Sequence, residues 1–395
     1  MIKQLITLGL AGSMLLFTAC GPANTETGSS NNDNESSFSE REMNTQYQRV
    51  RVSAVAEGLD HPWAVAFLPD GSMLVTERTG QLKHLHDGDV REISGLPEIN
   101  SFRQGGLMDV AVHPEYEENG WIYLTYSKSD GGEDTATALI RARIDGDSLT
   151  DVEELFEQDR YSDPGRHYGS RIAFTNDGYL LVSIGDRGSN PPRAQDLNDH
   201  AGTLLRFYDD GSVPDDNPFV GQDDARPEIF SYGHRNIQGL VVDPETNEIW
   251  VTEHGPRGGD LLHRVEMGNN YGWPVVTQGL DYRTEGPYDY FEAREMDGVE
   301  TPFYEFLPTL APSGLAMITH PSFGNWQGNL LAGGLRSERI LRILKSDNEV
   351  LHMEELFTKD FGRIRDVRQG PDGNVYVLTD SSDGKLLRVE PIERS

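Results

Sequence analysis

Apolar and polar residues alternate along this chain in short runs broken by turn residues, and the pattern comes six times. Residues 64–76 read Ala-Val-Ala-Phe-Leu-Pro-Asp-Gly-Ser-Met-Leu-Val-Thr: a period-two run, a Pro-Asp-Gly turn, then a second run. Period two places successive side chains on opposite faces of an extended strand. The turn follows from its residues, because Pro presets φ, Asp bonds its own backbone and Gly accepts φ > 0. The phrase returns at 109–114 with 120–125, at 171–178 with 179–184, and at 239–244 with 248–252. It appears more loosely at 314–321 with 329–334, and again at 366–373 with 374–379. Most copies continue into a third strand, as at 80–85 and 385–389, and helical periodicity is nearly absent. Short strands in repeats of about forty residues predict an all-β fold, a six-bladed β-propeller. The uneven spacing implies long loops between blades three to five. A propeller gathers such loops around its axis on one face, the expected place for a site.

The first residues do not follow this pattern. Lys3 precedes an apolar run at 5–17, and Phe17-Thr18-Ala19-Cys20 ends it. The run is too short to remain as a membrane span, so 1–20 is read as a cleaved signal peptide. Cys20 is the only cysteine of the chain and stands where lipoprotein processing leaves a new N-terminus. That reading makes the protein exported and lipid-anchored at a membrane surface, periplasmic or extracellular. The alternative is a plain secretory signal in which Cys20 is incidental. Residues 21–46 are rich in Ser, Asn, Glu, Gly and Thr, which suits a flexible tether. The folded domain is then expected over 47–395.

Composition narrows the chemistry. A single cysteine excludes an internal disulfide and a thiolate metal site. With 65 acidic against 34 basic residues the net charge is −31, which argues against a nucleic-acid partner. The acidity is spread along the chain and reads as a solvated surface. Any cluster of arginines in such a chain therefore needs a reason.

Three constellations carry candidate chemistry. Gly165-Arg-His-Tyr-Gly-Ser-Arg171 precedes the third inner strand, so His167 is expected to face the axis, and Gly185-Asp186 ends the next strand of the same blade. An Asp there would hold the imidazole in one tautomer, as a general base requires. In Arg363-Ile-Arg365 the two arginines fall on one face of a strand and repel each other unless an anion lies between them. Arg235, Arg336 and Arg339 come from other repeats at comparable positions. Such a cluster suits a small polyanion, whose carboxylates guanidinium groups bind in bidentate fashion, while ordinary pairing with Asp and Glu is the simpler reading. The third is Thr252-Glu-His-Gly-Pro-Arg-Gly-Gly-Asp260 followed by Asn269-Asn-Tyr-Gly-Trp-Pro274. Its free carbonyls and nearby Asp suit a hard cation such as Ca²⁺.

Together these motifs resemble the soluble pyrroloquinoline quinone (PQQ) glucose/aldose sugar dehydrogenases over about residues 50–392. The markers are Gln104-Gly-Gly-Leu107, His167-x-Gly-x-Arg171, Gly185-Asp186, Gly233-His-Arg-Asn236, Glu253-His-Gly-Pro256, Asn270-Tyr-Gly-Trp-Pro274 and Arg363-Ile-Arg-Asp-Val367. The resemblance implies that His167 takes the proton from the anomeric hydroxyl of an aldose, that Asp186 orients it, and that hydride passes to PQQ, giving the aldonolactone. It implies that Gln104, Arg235, Asn236, Tyr282, Arg363 and Arg365 hold the cofactor. The carbonyls of Gly255 and Pro256 would bind Ca²⁺. Being a tricarboxylate, PQQ would also account for the arginines. The substrate is a small aldose; the electron acceptor is not implied.

Two departures stand out. Leu261 follows Asp260 where the family has Glu, which puts in doubt a second Ca²⁺ site built on Asp260 and Tyr271. Arg336 stands where a lysine ordinarily meets the quinone. Two other readings remain, a Ca²⁺-dependent lactonase-type propeller and a non-enzymatic surface propeller binding a sugar or a protein.

Overall fold

The computed structural model describes residues 38–163 and 165–392. Cys20 and the signal-peptide reading lie outside them. Six antiparallel sheets form the blades of a β-propeller, each a meander running outward from a common axis. The innermost strands are Pro62–Phe67, Leu107–Val112, Gly169–Phe174, Ile237–Val242, Pro312–Met317 and Ile364–Gln369. Each touches the next, and the last returns to the first. These strands and their immediate partners are covered on both faces by neighbouring blades. Leu180–Ile184 and Val375–Thr379, for example, are buried throughout rather than alternately. Outer strands such as Asp89–Ile93 bury one residue in five.

Blade six is completed from the other end of the chain. Arg49–Leu59 pairs with Gly384–Ile392, matching Arg49 with Ile392 and Val52 with Val389. Outside it lies Arg41–Asn44. Phe38, whose N–H is held by the Glu57 carboxylate, packs its ring 5.9 Å from that of Phe361. Among the described residues the propeller already includes Phe38 and Arg41–Asn44, ahead of the expected start at Tyr47. An edge strand needs only one apolar contact face, here Met43, so its polar composition concealed it.

The long loops also fall elsewhere than expected. They lie within blades three and four, at 185–202, 208–228 and 266–303, and not between blades. The last of these climbs beside Tyr232, where Asn270 makes a parallel bridge, to the face on which the inner strands begin. No helix among the described residues is long and apolar enough to cross a membrane.

Ion pairs close the axis below that face. Arg171 on blade three reaches Asp366 on blade six (2.9 Å) and Asp109 on blade two (3.7 Å). Arg368 pairs with Asp109 (2.7 Å) and Asp366 (3.0 Å). Asp109 also accepts the Ile172 N–H at 2.9 Å. Such a quartet is tolerable in the interior because every charge is matched, whereas losing one member would strand the others at a cost of about 3–5 kcal/mol.

Candidate active site

Above this ionic floor lies a cavity of about 1090 Å³. Its walls come from the entrances of all six inner strands: His61 and Trp63, Gln104, His167, Arg235 and Asn236, Ala311, and Arg363 with Arg365. Loop 266–303 adds Tyr282 and Tyr288.

His167 sits just ahead of the third inner strand with a left-handed φ of 52°. Gly185 makes this approach possible, since a Cβ there would lie 2.0 Å from the His167 carbonyl oxygen. The His167 N–H donates to Gln104 Oε1 at 2.9 Å. Nδ1 lies 2.6 Å from Asp186 Oδ1. The Asp186 carboxylate is fully buried and also accepts Trp273 Nε1–H (2.7 Å) and Gly188 N–H (2.8 Å). An ionised carboxylate can only accept, so Nδ1 carries the proton and Nε2 keeps its lone pair.

Electrostatics support these protonation states. Burial pushes the His167 pKa down to about 4, assisted by the Arg235 charge and opposed by Asp186. Only 12% of its side chain is exposed. Burial alone would raise Asp186, but the His167 imidazole, Arg235 and the Trp273 N–H together hold it below the usual carboxylate range. At neutral pH the pair is a neutral imidazole oriented by an anion.

Arginines make up much of the remaining wall. Arg235 donates to the His254 carbonyl (3.1 Å) and lies 5.1 Å from the Trp273 ring, while its buried Nε has no partner. The buried Arg365 Nε is likewise unpartnered. The anion expected between Arg363 and Arg365 proves to belong to the chain itself. Asp380 Oδ2 accepts from Arg363 (2.8 Å) and from Arg365 (3.1 Å), so this pair does not by itself demand an external anion. Counting the whole lining, seven arginines face two aspartates. That surplus and the two orphaned N–H groups fit a ligand bearing several carboxylates. Asn236 Oδ1 accepts the Gly169 N–H at 3.1 Å, fixing the strand behind His167. Tyr282 lines the cavity mouth and is 64% exposed.

Other expected residues are not brought to the cavity. Arg336 is exposed and only its neighbour Leu335 lines the wall. Arg339 is paired with Glu355 at 2.7 Å. Of the residues read as calcium ligands, Asp260 and Tyr271 have other partners. Asp260 is consumed in stapling its own loop, accepting from Gly255 N (3.2 Å), Ala311 N (2.7 Å) and the Thr309 hydroxyl. The Tyr271 hydroxyl donates to the Arg264 carbonyl and accepts the Glu266 N–H, with its ring stacked on His234. Leu261 is buried in the strand between them. The Pro256 carbonyl closes a turn with Gly259 N–H at 3.0 Å, and Gly255 is buried beside it. Two backbone carbonyls would supply only part of the roughly six to eight oxygens that Ca²⁺ takes, the rest falling to water or a bound ligand. Among the described residues no group of three or more His, Cys, Asp or Glu is placed to hold a metal.

Some site residues escaped the sequence reading. Trp273 stood inside a quoted motif, but nothing local linked its ring to Asp186 87 residues away. Asp380 follows the second strand of blade six and was one acid among many. Arg78, Arg103 and Arg166 also line the cavity, and nothing local in the sequence separates them from the other arginines.

Comparison with known proteins agrees with this geometry. The family described as Glucose / Sorbosone dehydrogenase matches residues 59–388. The Aldose sugar dehydrogenase YliI of Escherichia coli is 40% identical over 349 residues, covering 87% of this chain and 93% of that protein. The solved soluble aldose sugar dehydrogenase of Escherichia coli, in its apo-form, superposes with a TM-score of 0.84 at 38% identity, over 87% of this chain and all of that one. The PQQ-bound aldose sugar dehydrogenase of Streptomyces coelicolor gives a TM-score of 0.70 at 26% identity, over 87% and 98% of the two chains.

Proposed function

This chain belongs to the glucose/sorbosone dehydrogenase family, and from that premise we propose that it oxidises aldose sugars to aldonolactones with PQQ as its cofactor. The observation that carries the reading is the His167–Asp186–Trp273 relay standing beside Arg235, whose buried Nε has no partner.

Each residue then has a task. Arg235, Arg363 and Arg365 hold the cofactor carboxylates, with Gln104, Asn236 and Tyr282 completing the wall around it. When bound, PQQ supplies the acceptor for the hydride that leaves the anomeric carbon. His167 Nε2 takes the proton of the anomeric hydroxyl as that carbon becomes the lactone carbonyl. Asp186 keeps the proton of the resting ring on Nδ1 and stabilises the imidazolium that forms, and Trp273 holds Asp186 in place. Burial, assisted by the Arg235 charge, keeps His167 neutral before the step, so the base is ready at neutral pH. A positioned base of this kind contributes about 10²–10⁴-fold to the rate.

The test is dye-linked oxidation of an aldose panel with and without added PQQ, alongside His167→Ala. Wild type reducing the dye only with PQQ, while the variant binds PQQ and is slowed on that scale, supports the assignment. A protein that neither binds PQQ nor turns over any aldose would sink it. Export and attachment to a membrane surface through Cys20 form part of the same proposal. They are checked by incorporation of labelled fatty acid into wild type and not into Cys20→Ser.

A further inference from the structure

Beyond the arginines given to the cofactor, three more stand around the cavity and have no acidic partner. Arg78, Arg103 and Arg166 all line it. Most arginines of this chain are neutralised even at the exposed surface, as Arg143 is by Asp151 (2.7 Å) and Arg91 by Asp147 (2.9 Å). With nearly two acids for each base, pairing is the default. Yet none of these three has a carboxylate within 4.0 Å among the described residues, and all three share one cavity. Backbone contacts hold two of them there instead. Arg78 Nη1 donates to the Arg103 carbonyl, and Arg166 Nη2 to the Gly188 carbonyl at 2.9 Å.

Two of them are adjacent in sequence to the reacting machinery. Arg103 precedes Gln104 and Arg166 precedes His167, and the two loops are tied by Gln104 N–H to the Gly165 carbonyl at 3.1 Å. Arg103 has a left-handed φ of 57°, uncommon for a residue with a side chain, and its guanidinium lies 5.1 Å from the exposed Phe102 ring. The acids of the lining are engaged elsewhere. Asp380 is shared by Arg363 and Arg365, and Asp281 accepts the backbone N–H groups of Arg283 and Thr284 at 2.9 and 2.8 Å. A tricarboxylate cofactor leaves cationic charge over when seven arginines face two aspartates.

We infer that the preferred substrate is an anionic aldose, a sugar carrying a carboxylate or phosphate away from its anomeric carbon, and that Arg103 and Arg166, backed by Arg78, bind that anion. The inference rests on the dehydrogenase reading of the same site. It supplies what the neutral imidazole and the cofactor clamp do not, a reason for cations on the substrate side. One charge-assisted hydrogen bond sets the scale of the preference, about tenfold or more in kcat/KM.

The test compares glucose, glucuronate and glucose 6-phosphate as substrates of the PQQ-loaded protein at low and high salt. Calorimetric binding of methyl glucoside and methyl glucuronide runs in parallel, since blocked anomeric hydroxyls keep turnover out of that readout. The expected result is an advantage of about tenfold or more for one anionic sugar, carried in KM and reduced by salt. Arg103→Gln and Arg166→Gln, singly and together, should remove it. Glucuronate as the better substrate assigns a sugar acid and glucose 6-phosphate a sugar phosphate, and either supports the inference. A protein that oxidises glucose as well as both anionic sugars, and binds the two glycosides equally, overturns it while leaving the dehydrogenase reading intact. Absence of oxidation of every sugar overturns both.

Discussion

Replacing Asp186 with Asn keeps the shape of the side chain and removes its charge, which makes it the sharpest probe of the relay. The carboxylate takes three donors: His167 Nδ1–H at 2.6 Å, Trp273 Nε1–H at 2.7 Å and Gly188 N–H at 2.8 Å. An amide has one accepting oxygen and one donating NH₂. If its oxygen faces His167 and Gly188, the NH₂ confronts the Trp273 N–H. If it is flipped, the NH₂ confronts Gly188 N–H and donates to Nδ1, which moves the ring proton to Nε2 and abolishes the base. Either orientation sets a donor against a donor in a buried place, at about 1–3 kcal/mol of stability. The catalytic loss is larger, because both the tautomer and the partner of the forming imidazolium are lost. We expect kcat to fall by about 10²–10⁴-fold. PQQ affinity should change little, because the arginine wall is untouched. Steady-state dye reduction at saturating PQQ, with calorimetric PQQ binding as the control, provides the measurement. A variant that retains kcat within about threefold of wild type while binding PQQ normally would refute the claim that Asp186 fixes the protonation of His167.

Three further outcomes follow from the same geometry. Trp273→Phe removes one donor from the buried Asp186 and should lower kcat by about tenfold, the scale of a charge-assisted hydrogen bond, in the dye assay. His167 in the PQQ-free protein should titrate by NMR near 4 instead of the ordinary 6.5. Because the folded value is the lower one, unfolding takes up a proton between them. Its contribution to stability is therefore full above 6.5 and lost as pH falls toward 4, by up to about 3 kcal/mol. Asp186 does not confound this window, since its own pKa is lowered from 3.8. Comparing denaturant midpoints of wild type and His167→Gln across the window tests the sign. Asp260→Ala strands the Gly255 and Ala311 N–H groups and should cost about 2–4 kcal/mol of stability, read by denaturation, equally with calcium and with chelator. A loss confined to calcium-containing buffer would restore Asp260 as a metal ligand.

The blades were legible because their signals are local. A turn of Pro, Asp, Asn and Gly between two alternating runs fixes a hairpin whatever lies elsewhere, and six such hairpins leave few architectures. Arg41–Asn44 was missed because an exposed edge strand needs little apolar surface. His167 and Asp186 could be paired on paper, being on adjacent strands of one blade. Partners from distant segments could not: Asp380 is identified by the two guanidiniums that flank it, and Trp273 by where a 38-residue loop lands. Asp260 and Tyr271 illustrate the opposite limit. Both residues stand in the expected motif, but their oxygens are spent on neighbouring backbone, and motif spacing does not reveal whether a ligand atom is free.

Blade six sets an order of events for the ring. Arg49–Leu59 leaves the ribosome early and must wait for Gly384–Ile392, synthesised more than 320 residues later, before the two can pair. Until then the growing protein is an open arc with an unpaired edge, and loop-closure entropy makes that final joining slow. Once made, the clasp joins the two extremes of the described chain, so no blade can peel away from an end without first breaking it. The same seam that delays maturation should make the finished enzyme slow to come apart, with its lifetime governed by the rate at which that seam opens.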